Sequence, residues 1–586
     1  MKNTIPMLVM CFISIGTFAQ NCPHPSASVD LDVNNVRAKI LNGGDLWWDP
    51  ISTINTYEVP IGSSKNAIFC GSIWIGGYDA SNQLLMAAQT YRQGGKNDFW
   101  AGPISVDTGS GATSITPATC NFYNNLYPMT KAEVITFANG GIASPGIINW
   151  PGNGNVSAGQ LPFLAPFFDS NNDGVYDHTT GDYPYFNLSG NYPVNQTTGL
   201  TECNDYLFGD KSIWWVFNDI GNVKTETNSG PIGLEIRAQA FAYSSTNPAI
   251  NNTTFYKYQI INRSSGSIFQ THLGAWVDVD LGNFTDEYVG CDVGRDLGYV
   301  YNGDIDDNGT GGYGVNPPAC GLDFLQGPLA DSNDGIDNNH NGFTDELGED
   351  CLMSSFMYYN NVNGTPTGNP NNTLDYYNYL KSTWIDGTPV TYGGNGKGSG
   401  PGATTTPTTF MYPNNTNPLF PTPWTMGNSG IQANDMRFIV SSGPFTMQPG
   451  EVCYMTNAVV WARTSVSGNP LPSVTELQAA SDVVQLFFDS CFKFSAISGI
   501  EKQDKISGVK ISPNPFKTNC TIHLEQTNLK SAEISLHTLA GKLISLSKYN
   551  QVPDVINLGD DLKAGVYIIS IQEGNRIYAE KIIKLE

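Results

Sequence analysis

Oxygen-bearing side chains recur at fixed spacing in two short segments. Residues 169–177 read Asp169, Ser170, Asn171, Asn172, Asp173, Gly174, Val175, Tyr176, Asp177, and residues 337–345 read Asp337, Asn338, Asn339, His340, Asn341, Gly342, Phe343, Thr344, Asp345. In each, oxygens stand at the first, third, fifth and ninth places and glycine at the sixth. That spacing lets side chains from alternate residues converge on one ion while glycine makes the sharp turn between them. Calcium is the hard cation such an all-oxygen donor set suits. The expected ligands are Asp169, Asn171, Asp173 and Asp177, with Asp182 close behind, and Asp337, Asn339, Asn341 and Asp345, with Glu346 and Glu349 close behind. Asp304, Asp306 and Asn308, followed by Gly309, repeat only the first half of the pattern.

Neither segment is a full EF-hand. Thr180 and Gly348 occupy the twelfth places, where a bidentate Glu belongs, and helical patterns do not flank both sides. The segments resemble the solitary calcium turns of extracellular β-proteins and type 3 thrombospondin repeats. Plain Asp/Asn/Gly turns are the competing reading, because these residues also turn the chain without any ion. A further cluster, Asp278 and Asp280 with Asp286, Glu287 and Asp292, adjoins Trp276. It reads either as another cation site or as acid/base carboxylates, which cleave glycosidic bonds when held roughly 5–10 Å apart.

Other chemistry lacks its motif. The sequence has no His-Glu-x-x-His, no Gly-x-Ser-x-Gly and no Gly-x-x-x-x-Gly-Lys. His178 and His340 lie in or beside the calcium-like segments, and His272 has no evident Ser or Cys partner. Trp47 with Trp48, and Trp214 with Trp215, are adjacent pairs, so in a strand one ring of each points to either face. Packing of both in the core is preferred over one stacking outward on sugar.

The elements that must position these residues are short strands. Aromatics are abundant (28 Tyr, 28 Phe, 11 Trp), 62 glycines punctuate the chain, and only 14% of residues are charged. Ala67 to Cys70, Ile73 to Ile75, Thr253 to Ile261 and Val452 to Met455 are strand-like by β-branched and aromatic content. Long polar loops are expected at 101–120, 140–160 and 360–430. One helix is expected after a capping box at Ser473 and Glu476, with Leu477, Ala480, Val484 and Phe487 or Phe488 on its buried face. Of eleven cysteines, Cys11 lies in the leader described below. Cys320 with Cys351 and Cys453 with Cys491 are the guessed disulfides, against an alternative of buried thiols.

The formal charge is −24, and nearly all of it falls before residue 500. An acidic body repels phosphate backbones, so nucleic acid is excluded as a partner, and it attracts divalent cations. Lys2, the apolar run from Ile5 to Phe18 and the small residues before Gln20 read as a secretory signal peptide over 1–19. The run is shorter than the roughly 20 residues a spanning helix needs.

Four motifs follow in order from residue 508. They are Pro513-Asn514-Pro515, Gly541-Lys542, Gly565-Val566-Tyr567 and a final Lys-rich strand with Lys581 and Lys584. This order resembles the type A sorting domain of type IX secretion substrates. The resemblance implies a small Ig-like β-sandwich, recognition by the outer-membrane translocon, and release or attachment to surface lipopolysaccharide. The body resembles uncharacterised passengers of the same system. The expected organisation is a signal peptide (1–19), an acidic β-rich passenger (20–495) of two or more subdomains, a linker (496–507) and the sorting domain (508–586). The expected fold is mainly β, a multi-domain β-sandwich-like body with long loops and one C-terminal helix. Such a chain would be secreted or face outward on the outer membrane. It would act there as a calcium-stabilised binding, adhesive or structural protein with a glycan or cell-surface ligand. The alternative is a secreted glycan hydrolase using the carboxylates of 278–292.

Overall fold

The computed structural model describes residues 21–188, 203–420, 422–465, 470–494 and 504–585, except 507, 525–528, 539–542, 560–561 and 574–575. The expected signal peptide therefore lies outside the described residues. The chain divides into two compact units at Phe492 and Lys493. It is mainly β, as its composition leads one to expect, and no described helix is long and apolar enough to cross a membrane.

Two 9-stranded antiparallel sheets build the first unit. One runs in the order Ser28–Leu31, Arg37–Leu41, Asp45–Leu46, Asn66–Tyr78, Ile268–Val279, Met436–Met447, Ser355–Asn360, with Tyr57–Glu58 and Leu84–Ala87 pairing alongside this path. The other runs Tyr127–Thr130, Lys211–Asn218, Leu234–Ala242, Thr253–Asn262, Val452–Ala462, Ala319–Gln326, Leu297–Asn302, Glu287–Asp292, with Trp100–Ala101 pairing Lys211–Asn218 alongside. The strand-like runs of the sequence all fall inside these strands. The sheets meet face to face in one apolar core, where Trp215, Ile236, Tyr258 and Leu322 of the second pack with Ile73, Trp276 and Val440 of the first. Trp47 crosses between them: its Nε1 donates to Tyr256 Oη at 2.8 Å, and its ring lies where any Cβ on Gly71 would sit, 2.1 Å away.

The outer faces are covered as well, so the strands carry apolar residues on both sides. Over the first sheet, the helix Thr373–Leu380 sets Tyr376 edge-on to Trp74 at 4.7 Å. This helix falls inside the segment expected to be a long loop. Over the second sheet, the helix Leu471–Asp489 buries Val474, Leu477, Ala480, Val484, Phe487 and Phe488, the expected face. Both tryptophan pairs are buried, with Trp47, Trp48, Trp214 and Trp215 each no more than 3% exposed, so none stacks outward.

Two local expectations are corrected. The helix begins two residues before Ser473, led in by Pro470 and Pro472, whose fixed φ suits a first turn. Ser473 is thus inside the helix, and its Oγ donates to Pro317 O at 2.7 Å and accepts from Thr464 N–H instead of capping. The disulfides join Cys22 to Cys120 and Cys203 to Cys491, not Cys320 to Cys351 or Cys453 to Cys491. Cys320, Cys351 and Cys453 are buried thiols. Cys320 and Cys453 sit on core strands, among apolar neighbours that raise both thiol pKa values.

The second unit is a small sandwich. A 5-stranded sheet (Asp504–Lys505, Arg576–Lys584, Gly565–Glu573, Ala532–Thr538, Leu543–Tyr549) and a 3-stranded one (Lys510–Ser512, Cys520–His523, Val555–Leu558) enclose Ile511, Phe516, Ile522, Leu536, Ile569 and Ile582. Asp504–Lys505, inside the segment expected as a linker, pair in parallel with Arg576 and Ile577.

Candidate functional site

The two nine-residue segments adopt one conformation through their first seven places. Asp169 accepts the N–H of Asp173 (3.2 Å) and of Gly174 (2.9 Å), and Asp337 accepts those of Asn341 (3.0 Å) and Gly342 (2.8 Å). Asn171 and Asn339 each accept the N–H two residues on, as do Asp173 and Asn341. The fourth place is left-handed in both (Asn172 φ 60°, His340 φ 57°), and so is the glycine at the sixth (φ 76° and 93°). A carboxylate or amide oxygen that accepts one N–H keeps a lone pair, so the donors at places one, three and five remain fit for a cation. A buried acid closes each loop from beyond. Asp182 accepts Ser170 N–H (2.8 Å) and Asp177 N–H (2.9 Å), and Glu349 accepts Asn338 N–H (2.6 Å). Burial, with Asp169 and Asp173 nearby, raises the Asp182 pKa.

The loops part at the ninth place. Asp177 turns away and caps the turn His178–Thr180, accepting from Thr179 N–H at 2.8 Å, whereas Asp345 accepts Gly335 N–H at 3.1 Å. Glu346 draws in the amides of Asn339 and Asn341. The third, partial segment does not form this loop. Asp304 accepts Asp306 N–H, Asp306 pairs with Val315, and the Asn308 amide donates to Asp306 O. Its buried acid is Asp307, which accepts Asn283 N–H and Tyr313 N–H, and burial pushes its pKa up to about 6.

The 278–292 carboxylates separate into three places. Asp286 sits with Asn283, and Asp292 with Arg295 and Gln478. Asp278, Asp280 and Glu287 come together, joined by Asp435, which sequence reading missed because it enters from the lead-in to a distant strand. Asp278 is the register partner of Arg437 across the first sheet, and a bridge pairs Glu287 with Asn434. One oxygen each of Asp278, Asp280 and Asp435 lies within 4.8 Å of the others, the only such trio among the described residues. Arg437 pairs with Asp278 (3.0 Å) and with Asp435. Tyr91 Oη donates to Asp278, and Asn55 donates to Asp280 at 3.1 Å. Burial raises the Asp278 pKa to about 7 and the Asp280 pKa to about 8, and holds Glu287 well above the usual carboxylate range.

A cleft of about 880 Å³ opens beside this cluster, and Tyr91 belongs to both. Its walls come from residues 90–96, from the Asn/Pro/Gly segment 363–371 and from the helix Thr373–Leu380. Glu226, Tyr359 and Tyr376, each buried, line it from below. Glu226 Oε1 accepts Thr90 Oγ1–H at 2.6 Å and the Tyr376 hydroxyl, while its Oε2 is buried with no hydrogen-bond partner. Burial raises the Glu226 pKa. Asp98 sets its backbone by accepting Glu226 N–H at 3.0 Å. A second groove, of about 840 Å³, runs along residues 118–127 and 148–160. Tyr176 of the first loop braces it, donating to Ile147 O at 2.6 Å. It presents no comparable orphaned carboxylate.

In the second unit the sorting motifs are structural joints. Asn514, between Pro513 and Pro515, donates to Lys581 O (2.7 Å) and accepts Ile583 N–H (2.9 Å), so its side chain pairs with the Lys-rich strand as a backbone would. Lys584 lies 5.2 Å over the Phe516 ring and donates to Gly559 O. Gly565 and Val566 pair with Lys584 and Ile583, and Tyr567 Oη donates to Lys563 O at 2.9 Å. Gly541 and Lys542 lie outside the described residues.

Residues 510–585 match the secretion system C-terminal sorting domain family. The chain thus carries a type IX secretion tail of type A, which implies export to the cell surface or beyond and engagement of the type IX machinery. No curated protein matches the chain. Among solved structures a polysaccharide lyase is similar at 8% identity and a TM-score of 0.16, over 60% of this chain and 34% of that one. The chain therefore spans about a third of that structure's length, and so low a score carries no argument about fold or activity.

Proposed function

We propose that the exported body is a calcium-stabilised binding protein, displayed on the outer face of the outer membrane or released from it, whose cleft above Glu226 takes a hydroxyl-rich ligand of the glycan class. Surface lipopolysaccharide is the proposed anchor of the displayed form. The observation that carries the ligand reading is Glu226 Oε2, a buried carboxylate oxygen without a partner at the wall of a cleft. An unmet buried acceptor is costly, and a ligand O–H placed there removes the cost. The surrounding Thr, Tyr and Asn groups suit a neutral polar ligand.

Binding is favoured over glycan hydrolysis by the other acids of the cleft. Hydrolysis needs a second carboxylate free to act opposite the first. Both Asp386 oxygens are committed, one to Thr388 and one to Lys397 at 2.6 Å, and Asp375 Oδ2 accepts from Asn371 N–H and the Asn372 amide. Calcium is supported by the shared geometry of the loops at Asp169 and Asp337.

The test is a calorimetric and array screen of the purified protein against polysaccharides and oligosaccharides, with Glu226→Gln alongside. An at least tenfold loss of affinity in a variant with an unchanged melt is the expected result. Equal affinity in both proteins removes the cleft from the account, and turnover lost in the variant makes the protein a hydrolase.

A further inference from the structure

We propose that Asp278, Asp280, Asp435 and Glu287 hold one divalent, oxygen-preferring cation of the calcium class between the two sheets, at a site separate from both surface loops and independent of the cleft reading.

The strands bring these groups together from distant parts of the chain. Asp278 lies near the end of Ile268–Val279, Asp280 just beyond it, and Asp435 immediately before Met436–Met447, its neighbour in the first sheet. Glu287 opens the edge strand Glu287–Asp292 of the second sheet. It is fully buried, its Oε1 accepts Leu281 N–H at 2.6 Å, and its Oε2 has no hydrogen-bond partner. Leu281 directly follows Asp280, and the Glu287 backbone bridges Asn434, which directly precedes Asp435, so the orphaned carboxylate sits beside the trio.

The local charge does not close without a further positive group. Four carboxylates share Arg437, which reaches only Asp278 and Asp435. Asp278 Oδ1 is also buried without a hydrogen bond, although it lies 3.0 Å from the Arg437 guanidinium in an ion pair. Buried charges are paired, coordinate a metal or take up protons. The donors are all carboxylate oxygens, with the Asn55 amide next to them and neither imidazole nor thiolate in the group, which selects a hard cation over zinc or copper. Asp280 and Asp435 are only half-buried, so an ion can reach the site from solvent. Uptake of protons in place of an ion is the competing account.

The test compares the full chain with Asp280→Asn, Asp435→Asn and the loop variant Asp337→Asn after calcium loading and desalting. Elemental analysis should show one ion per chain fewer in Asp280→Asn and in Asp435→Asn than in the wild-type protein. Terbium replacing calcium should emit under tryptophan excitation, because Trp276 lies 5.5 Å from Tyr91, whose hydroxyl bonds Asp278. That emission should persist in Asp337→Asn and fall at least fivefold in the two cluster variants. The wild-type protein alone already decides the matter if the variants fail to fold: absence of calcium-displaceable, tryptophan-sensitised emission overturns the site. Unchanged metal content in folded Asp280→Asn and Asp435→Asn overturns it equally.

Discussion

Asp169 and Asp337 on one side, and Asp278, Asp280 and Glu287 on the other, are carboxylates in opposite surroundings. In the loops each first aspartate takes two N–H donors from residues four and five places on, so the backbone orders these oxygens locally. Between the sheets, the carboxylates come from several strands and leave two buried oxygens without hydrogen bonds. A site local in sequence satisfies itself as it folds. One assembled across strands inherits a charge that the fold alone does not neutralise, and Arg437 is the side chain that makes it tolerable.

Breaking that difference gives the largest effect. Arg437→Met strips the guanidinium that pairs with the buried carboxylates and should cost about 3–5 kcal/mol in urea unfolding, the penalty of stranding buried charge. A cost below about 1 kcal/mol would mean that the acids are protonated and need no cation. The loops should respond less. Asp169→Ala loses two backbone hydrogen bonds to a charged acceptor, about 2 kcal/mol, and should abolish the rise in melting temperature that calcium gives back after chelation by that loop. Asp177→Ala removes only the cap of a single turn, about 1 kcal/mol or less, and should leave the calcium response intact.

Proton linkage at the buried acids carries the smallest change in free energy. In chelator, folded Asp278 and Asp280 titrate near 7 and 8, above the roughly 4 of an unfolded Asp. The folded state then holds protons that the unfolded state has released, so their contribution to stability declines as pH rises from about 4 to about 8. Saturating calcium, or Asp280→Asn, should flatten that decline when unfolding is followed across the range. A slope unchanged by both would assign the pH dependence to other groups.

What could be read from sequence follows the same division. The two loops are contiguous, so their donor spacing stood in view at Asp169 and Asp337, as did the sorting motifs around Asn514. The longer strands were visible in part, through β-branched and aromatic runs at Ala67, Thr253 and Val452. Covered outer faces erased the alternation that marks a half-exposed sheet, and the strand Asn66–Tyr78 looked like two pieces. Asp435 was illegible because only strand register sets it beside Asp280. Glu226 was illegible because it is a lone acid on a connecting segment, given meaning by Thr90 and Tyr376 from elsewhere. Asp286 and Asp292 looked like members of the cluster by proximity in sequence, yet the strand Glu287–Asp292 and its flanks carry them to other partners.

The strand order also sets a timetable. Met436–Met447 lies between Ile268–Val279 and Ser355–Asn360 in one sheet, and Val452–Ala462 lies between Thr253–Asn262 and Ala319–Gln326 in the other. Two late strands, consecutive in the chain but one in each sheet, thus join strands made much earlier in both halves of the sandwich. While the ribosome is still making the preceding four hundred or so residues, each sheet lacks a strand that joins two others, and pairing partners far apart in the chain close slowly. Neither sheet can therefore be completed until most of the body has been made. In this exported protein the strands that complete the two rigid sheets are thus among the last of the body to be made.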